Sequence, residues 1–216
     1  MSVILRSGTY GNYYGSTMDT SSPCNSEQMS VNATYIYKYL SAKGWTREAI
    51  SALLGNMQAE SSINPGRWQS DRVGGESSGH GLGLVQWTPY TKYTNWCSEN
   101  GFSDFSEMDS NLSRIIYEVE NNIQWIGVGN YSGMSFKDFS SSSMDVDFLA
   151  VGFLLCYERP ADQSASVQSY RSLLANNWYT FLGGISDDDD DIITKINKRN
   201  NFKFVLFNRR RRINNG

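Results

Sequence analysis

Apolar residues recur at helical spacing over most of residues 27–182, and the pattern breaks over residues 65–87, where Gly, Ser, Asp and Asn take over and Gly74-Gly75 and Gly79-His80-Gly81 punctuate the chain. A chain written this way folds as a helical assembly with one small turn-rich or hairpin insertion, an α+β architecture. Helices are expected at 27–43, with Val31, Tyr35, Tyr39 and Leu40 on one side, and at 46–60, opened by Thr46 as N-cap with Glu48 in the first turn. Others are expected at 90–100, at 109–126 through Leu112, Ile115, Ile116, Val119, Ile123 and Ile126, at 144–158 and at 164–182. The 144–158 helix is apolar around most of its circumference, which predicts a central position. Residues 1–26 carry no period and read as a leader lying on the surface or attached to a partner. Residues 183–216 open on Gly183-Gly184 and a run of five aspartates, Asp187 to Asp191, then turn basic through Arg209–Arg212, so a domain boundary is expected near residue 182.

The formal net charge is −3, which argues against a globally basic nucleic-acid or membrane binder. Of 19 basic and 22 acidic residues, 8 and 5 fall in 183–216, leaving 11 and 17, so the body sits at −6 and the tail at +3. Cys24, Cys97 and Cys156 cannot pair completely and match no zinc spacing; neither a disulfide framework, a metal nor another cofactor is expected. The N-terminus shows no signal-peptide apolar region, and the longest apolar run, residues 148–157, is shorter than the ~20 residues a spanning helix needs.

Chemistry enters at the end of the 46–60 helix. At 100° per residue, Glu60 falls about 20° from Leu53, inside the stripe that Ala49, Ile50, Leu53 and Met57 define. A carboxylate facing a core at the negative end of a helix has its charged form disfavoured, which suits a general acid. The bland reading is a helix-end glutamate satisfied by Ser61, Ser62 and Asn64.

Five blocks in order weigh against the bland reading: Met57-Gln58-Ala59-Glu60-Ser61, Asn64-Pro65-Gly66, Gly83-Leu84-Val85-Gln86-Trp87-Thr88-Pro89, Arg114-Ile115-Ile116-Tyr117-Glu118-Val119 and Tyr157-Glu158-Arg159-Pro160. Together they resemble the bacteriophage tail lysozymes, within the lysozyme-like superfamily that includes goose-type lysozymes and lytic transglycosylases, over about residues 29–182. The resemblance implies a mostly helical lysozyme-like fold whose small β/loop insertion forms one wall of a cleft. It also implies cleavage of the β-1,4 bond between N-acetylmuramic acid and N-acetylglucosamine in peptidoglycan, with Glu60 as the acid that protonates the glycosidic oxygen.

Gln86 matches a cleft-lining glutamine whose amide suits N-acetyl and hydroxyl groups; a structural bridge is the equal alternative. Asp71 and Glu76, in the insertion, are candidates for a second catalytic carboxylate, and a single-glutamate lytic transglycosylase needs neither. Trp68, Trp87 and Tyr90 flank the expected cleft and offer flat faces to sugar rings. Tyr157 is a candidate for a hydrogen bond across the cleft. Glu158 is either part of the cleft floor or a buried acid paired with an arginine to support the Glu60 helix. Glu118, four after Arg114, makes an i,i+4 pair, while Trp45 and Trp125 read as core.

A cysteine peptidase would need His80, the only histidine, beside one of the three cysteines. A non-catalytic wall-binding tail protein is the other alternative. With an extracellular substrate and no signal peptide, the expected setting is a virion tail, or release to the host wall, with phage tail proteins as partners.

Overall fold

The structure, a computed structural model, describes residues 3–71, 73 and 79–185. In chain order it contains β1 (Ile4–Gly8), β2 (Gly11–Gly15), α1 (Ser26–Ser41), α2 (Arg47–Ser61), α3 (Thr91–Glu99), α4 (Met108–Glu120), α5 (Phe136–Ser140), α6 (Val146–Phe153) and α7 (Ala165–Leu182). It is a mostly helical α+β fold.

α2 begins where its sequence places it: the Thr46 hydroxyl accepts the Ala49 N–H at 3.2 Å. The helix at the centre is α2 and not α6. From Ala49 to Met57 every residue of α2 is buried, whereas Asp147 on α6 reaches solvent. α2 packs most extensively on α7 and next on α6. The α7 contact is close enough that a Cβ on Gly55 would sit 2.6 Å from the Ala175 backbone nitrogen. Only glycine permits that approach.

α4 stops at Glu120, six residues before the end of its apolar period. Asn122 and Gln124 take left-handed backbone angles of +48° and +69°, and the Asn122 side chain accepts the Phe136 N–H. The turn aims Trp125 into an aromatic cluster with Phe136 and Phe139, joined from α1's far end by Trp45, and leaves Ile126 56% exposed. Trp45 and Trp125 are core residues at 6% and 5% exposure.

The N-terminal segment is no loose leader. β1 and β2 form an antiparallel hairpin, Ile4 opposite Gly15 and Gly8 opposite Gly11, and its Tyr13 is buried. Buried amides tie it down: Asn32 accepts from the Tyr14 N–H at 2.6 Å and donates to the Tyr14 carbonyl at 2.7 Å, and Asn64 accepts from the Ser16 N–H at 3.0 Å. These partners lie on α1 and beyond α2, so no local period in residues 1–26 could announce them.

The 65–87 insertion pairs through two isolated bridges, Trp68 with Leu82 and Leu82 with Trp87. No strand forms among its described residues. Leu84 is tied to residues outside the insertion: its N–H goes to the Asn111 side chain at 2.9 Å, and the Ser61 hydroxyl donates to its carbonyl at 2.8 Å. Gly83, at φ +87°, lies where a Cβ would strike Asn111 Oδ1 at 2.5 Å.

Replacing Gly55 by alanine tests the α2–α7 contact. In an open helix the change would stabilise; here the methyl meets backbone, and a net loss of about 1–3 kcal/mol is expected from chemical denaturation.

Candidate active site

α2 ends at Ser61, and the chain then reverses through Ser62 and Ile63, both left-handed at +54° and +51°. The reversal leaves Glu60 in the last helical turn, its side chain 25% exposed, at the mouth of a cleft of about 320 Å³. Glu60, Tyr157 and Glu158 line one part of that cleft; Arg67–Ser70 and Val85–Thr88 from the insertion line another, with Lys92 from α3.

Glu158 sits at the end of a π-helical turn, Leu154–Glu158, that continues α6 and stops at Arg159, φ +49°, before Pro160. Its side chain is 5% exposed, and Arg171 Nη2 approaches its Oε2 at 3.3 Å. The same Nη2 donates to Glu60 Oε1, and Nη1 donates to the Asn56 carbonyl at 3.0 Å. One buried guanidinium, 7% exposed, therefore addresses both carboxylates and fixes them to the α2 backbone. Burial pushes the Glu158 carboxyl well above the ordinary carboxylate range, the neighbouring Glu60 charge pushes it further, and Arg171 opposes both.

Beneath the cleft, Glu118 is 1% exposed and accepts three hydrogen bonds: Trp87 Nε1 at 3.0 Å, Arg114 Nε at 2.9 Å and the Tyr157 hydroxyl at 2.5 Å. The i,i+4 pair with Arg114 is thus one part of a hub that orients two cleft-lining rings. Burial raises the Glu118 carboxyl above its usual range, and its hydrogen bonds and Arg114 counter the shift. Tyr157 spends its hydroxyl on this hub, so the hydrogen bond expected across the cleft runs inward instead.

The other sequence-marked residues divide. Gln86, at φ +53°, donates both amide hydrogens back into its own wall, to the Arg67 carbonyl at 3.0 Å and the Gly83 carbonyl at 2.9 Å. It lines the cleft as a brace of that wall, with only its Oε1 acceptor uncommitted to those bonds. Trp87 is 4% exposed and stacks on Tyr93, centroids 4.4 Å apart, so one ring face is covered. Trp68 lines the cleft but is 2% exposed, its Nε1 donating to the Met18 carbonyl, and Tyr90 packs edge-on against it. A ring so enclosed supports the wall and offers no open face to a sugar. The Asp71 side chain and all of Glu76 lie outside the described residues.

Cys24, Cys97 and Cys156 are all buried, and burial pushes the first two thiols to about 12 and about 11. Thiols so held supply no thiolate near neutrality, which removes the support for a cysteine nucleophile. Among the described residues no group of three His, Cys, Asp or Glu could hold a metal ion, and no helix is long and apolar enough to cross a membrane.

Residues 31–182 match the family model for phage tail lysozymes. The chain belongs to the phage tail lysozyme family. It is also 49% identical over 158 residues to Morphogenesis protein 1 of Bacillus phage B103, an overlap covering 73% of this chain and 41% of the relative. The chain thus spans about two fifths of the length of that curated relative. In this member of the tail lysozyme family, the sequence reading missed Arg171. A signal for it existed: Arg171 shares the buried face of α7 with Leu174, Ala175, Trp178 and Leu182, a cation in an apolar stripe that answers the anion in the stripe of α2.

Glu158 carries a pH consequence. Its folded-state pKa lies above the unfolded value of roughly 4.3, so its stabilising contribution is complete below that value and is lost as pH rises through the folded one. Thermal melts from pH 4 to pH 8 are therefore expected to show a decline in wild-type stability that Glu158→Gln flattens.

Proposed function

We propose that the protein is a peptidoglycan-degrading glycosidase that cleaves the β-1,4 bond between N-acetylmuramic acid and N-acetylglucosamine, with Glu60 as general acid. The observation that carries this reading is the geometry of Glu60: a carboxyl held by Arg171 at the end of a buried helix, yet one-quarter exposed and opening into the cleft. The phage tail lysozyme family match supports a lysozyme-like cell-wall hydrolase. Protonation of the glycosidic oxygen by Glu60 lets the C1–O bond break as an oxocarbenium-like transition state develops. Gln86, Trp87 and Tyr157 shape the sugar site, Trp68 and Tyr90 brace it, and Asp71 and Glu76 are the candidates for a carboxylate on the opposite wall.

A second reading, lytic transglycosylation with Glu60 as acid and then base, draws support from the placement of Glu158. It shares Arg171 with Glu60 and so stands beside the acid, not across a bound sugar from it, as a nucleophile or water-activating base must.

Membership of the phage tail lysozymes, together with the likeness to a phage protein called Morphogenesis protein 1, supports a place in the virion, with tail proteins as partners and the host wall as target. We take the catalytic unit to end near residue 182, and a chain ended at Gly184 is expected to keep its turnover on soluble wall fragments; a tenfold loss would refute that boundary.

Glu60→Gln is expected to lower muropeptide release from purified walls by ~10²–10⁴-fold with an unchanged circular dichroism spectrum. Mass analysis of the wild-type digest separates the two readings. Reducing ends mark hydrolysis, products lighter by one water mark transglycosylation, and cleaved stem peptides would sink both.

A further inference from the structure

The acid at the cleft does not stand alone. Among the described residues, no N–H or hydroxyl donates a hydrogen bond to either oxygen of Glu158, although the side chain is 95% buried and lines the cleft. Its approach to Arg171 Nη2, at 3.3 Å, is an ion-pair contact that lacks hydrogen-bond geometry. What stands beside it is the Glu60 carboxyl, since an oxygen of each acid approaches the same Arg171 Nη2. Two carboxylates meet in a hydrogen bond only when one of them carries a proton. The charged groups facing Glu158 are Glu60 from α2 and Arg171 from α7, so two acids share one cation. Such a cluster keeps a single proton, which belongs to the pair.

We propose that Glu158 is a positioning residue that acts through Glu60: it holds the proton of the pair in the free protein and passes it to Glu60 when a sugar covers the cleft, with Arg171 bridging both carboxylates throughout. The inference rests on Glu60 being the acid.

Burial decides where the proton rests. Glu158 is 5% exposed and Glu60 25%, and the more buried carboxyl is the more costly to ionise. Arg171, meanwhile, donates its hydrogen bond to Glu60, which favours charge there. In the free protein the arrangement is Glu158–COOH donating to Glu60–COO⁻. A sugar seated in the cleft displaces water from Glu60, the one member that had it, and evens out the difference. The proton then moves from Glu158 to Glu60, giving Glu60–COOH and Glu158–COO⁻, and Arg171 neutralises the new charge. Glu60 delivers that proton to the glycosidic oxygen, which takes the electron pair of the breaking C1–O bond. Water, or a sugar hydroxyl in the intramolecular route, adds at C1 and returns a proton to the pair.

The experiment is the pH profile of kcat/KM for muropeptide release by wild type, Glu158→Gln and Glu60→Gln, read beside a glutamate side-chain carbon NMR titration. Without Glu158, Glu60 faces Arg171 with no partner to keep the proton. The alkaline limb of Glu158→Gln is expected to move at least about one pH unit to the acid side, an order of magnitude in turnover at pH 7, with activity recovering as pH falls. An alkaline limb in the wild-type position, whatever the loss in height, overturns the proposal, because a merely structural role lowers the profile without moving it. Should Glu158→Gln not fold, the NMR decides alone. Glu158 in wild type is expected to be protonated at pH 7, and its titration to fall to lower pH in Glu60→Gln; a Glu158 carboxylate already ionised at pH 7 overturns it. If Glu60→Gln stays active, Glu60 is not the acid; if it is inactive while the Glu158→Gln limb stays put, only the proton relay fails.

Discussion

The contact of α2 with α7 at Gly55 and Ala175 sets the charge distribution of the cleft. Two helices that meet with backbone against a missing side chain lie closer than leucine-lined helices can. That closeness puts Arg171, four residues before Ala175, level with Glu60, five residues after Gly55. The arginine is then short of water and surrounded by acceptors, bonded to the Asn56 carbonyl and to Glu60 and in contact with Glu158. A buried cation with two anions leaves the cluster one negative charge in excess, and a single proton restores neutrality. The packing constraint and the charge cluster therefore have one origin.

The described residues of the opposite wall form no strand. Its loops are held by buried amides and one buried acid: Asn64 beneath the turn after α2, Asn111 beneath Leu84, and Glu118 beneath Trp87 and Tyr157. Each of these side chains satisfies backbone or ring donors that a sheet would otherwise have to pair, and each sits where water cannot substitute for it. The consequence is a wall whose shape depends on a few fully bonded polar residues. Gln86 extends the scheme into the cleft, since its donors tie Arg67 to Gly83.

Charge organises the protein on a larger scale. A body at −6 is unlike a lysozyme that finds an anionic wall by bulk attraction. The cleft is lined by charges of both signs, Arg67 and Lys92 with Glu60 and Glu158.

The family blocks and the helical periods needed only the sequence, because both are local: a cap at Thr46, a stripe through α2, a glutamate at its end. The helices came out where the period was continuous, and the period failed where a left-handed turn at Asn122 was fixed by a partner fourteen residues away. The hairpin at residues 4–15 was invisible, since its stability lies in Asn32 and Asn64 rather than in its own pattern. Among the site residues, the apolar stripe marked Glu60 and the family blocks around it tipped the balance away from an ordinary helix-end glutamate. The roles of the others depended on what faced them: Trp68 became enclosed, Tyr157 turned inward to Glu118, and Glu158 met Arg171. The sequence by itself determined that Glu60 ends a helix and falls within its apolar stripe, because helix periodicity orders neighbours along one chain. Only the tertiary structure decided what holds Glu60 and which carboxyl stands beside it, because burial and charge pairing are properties of surfaces brought together from residues 60, 158 and 171.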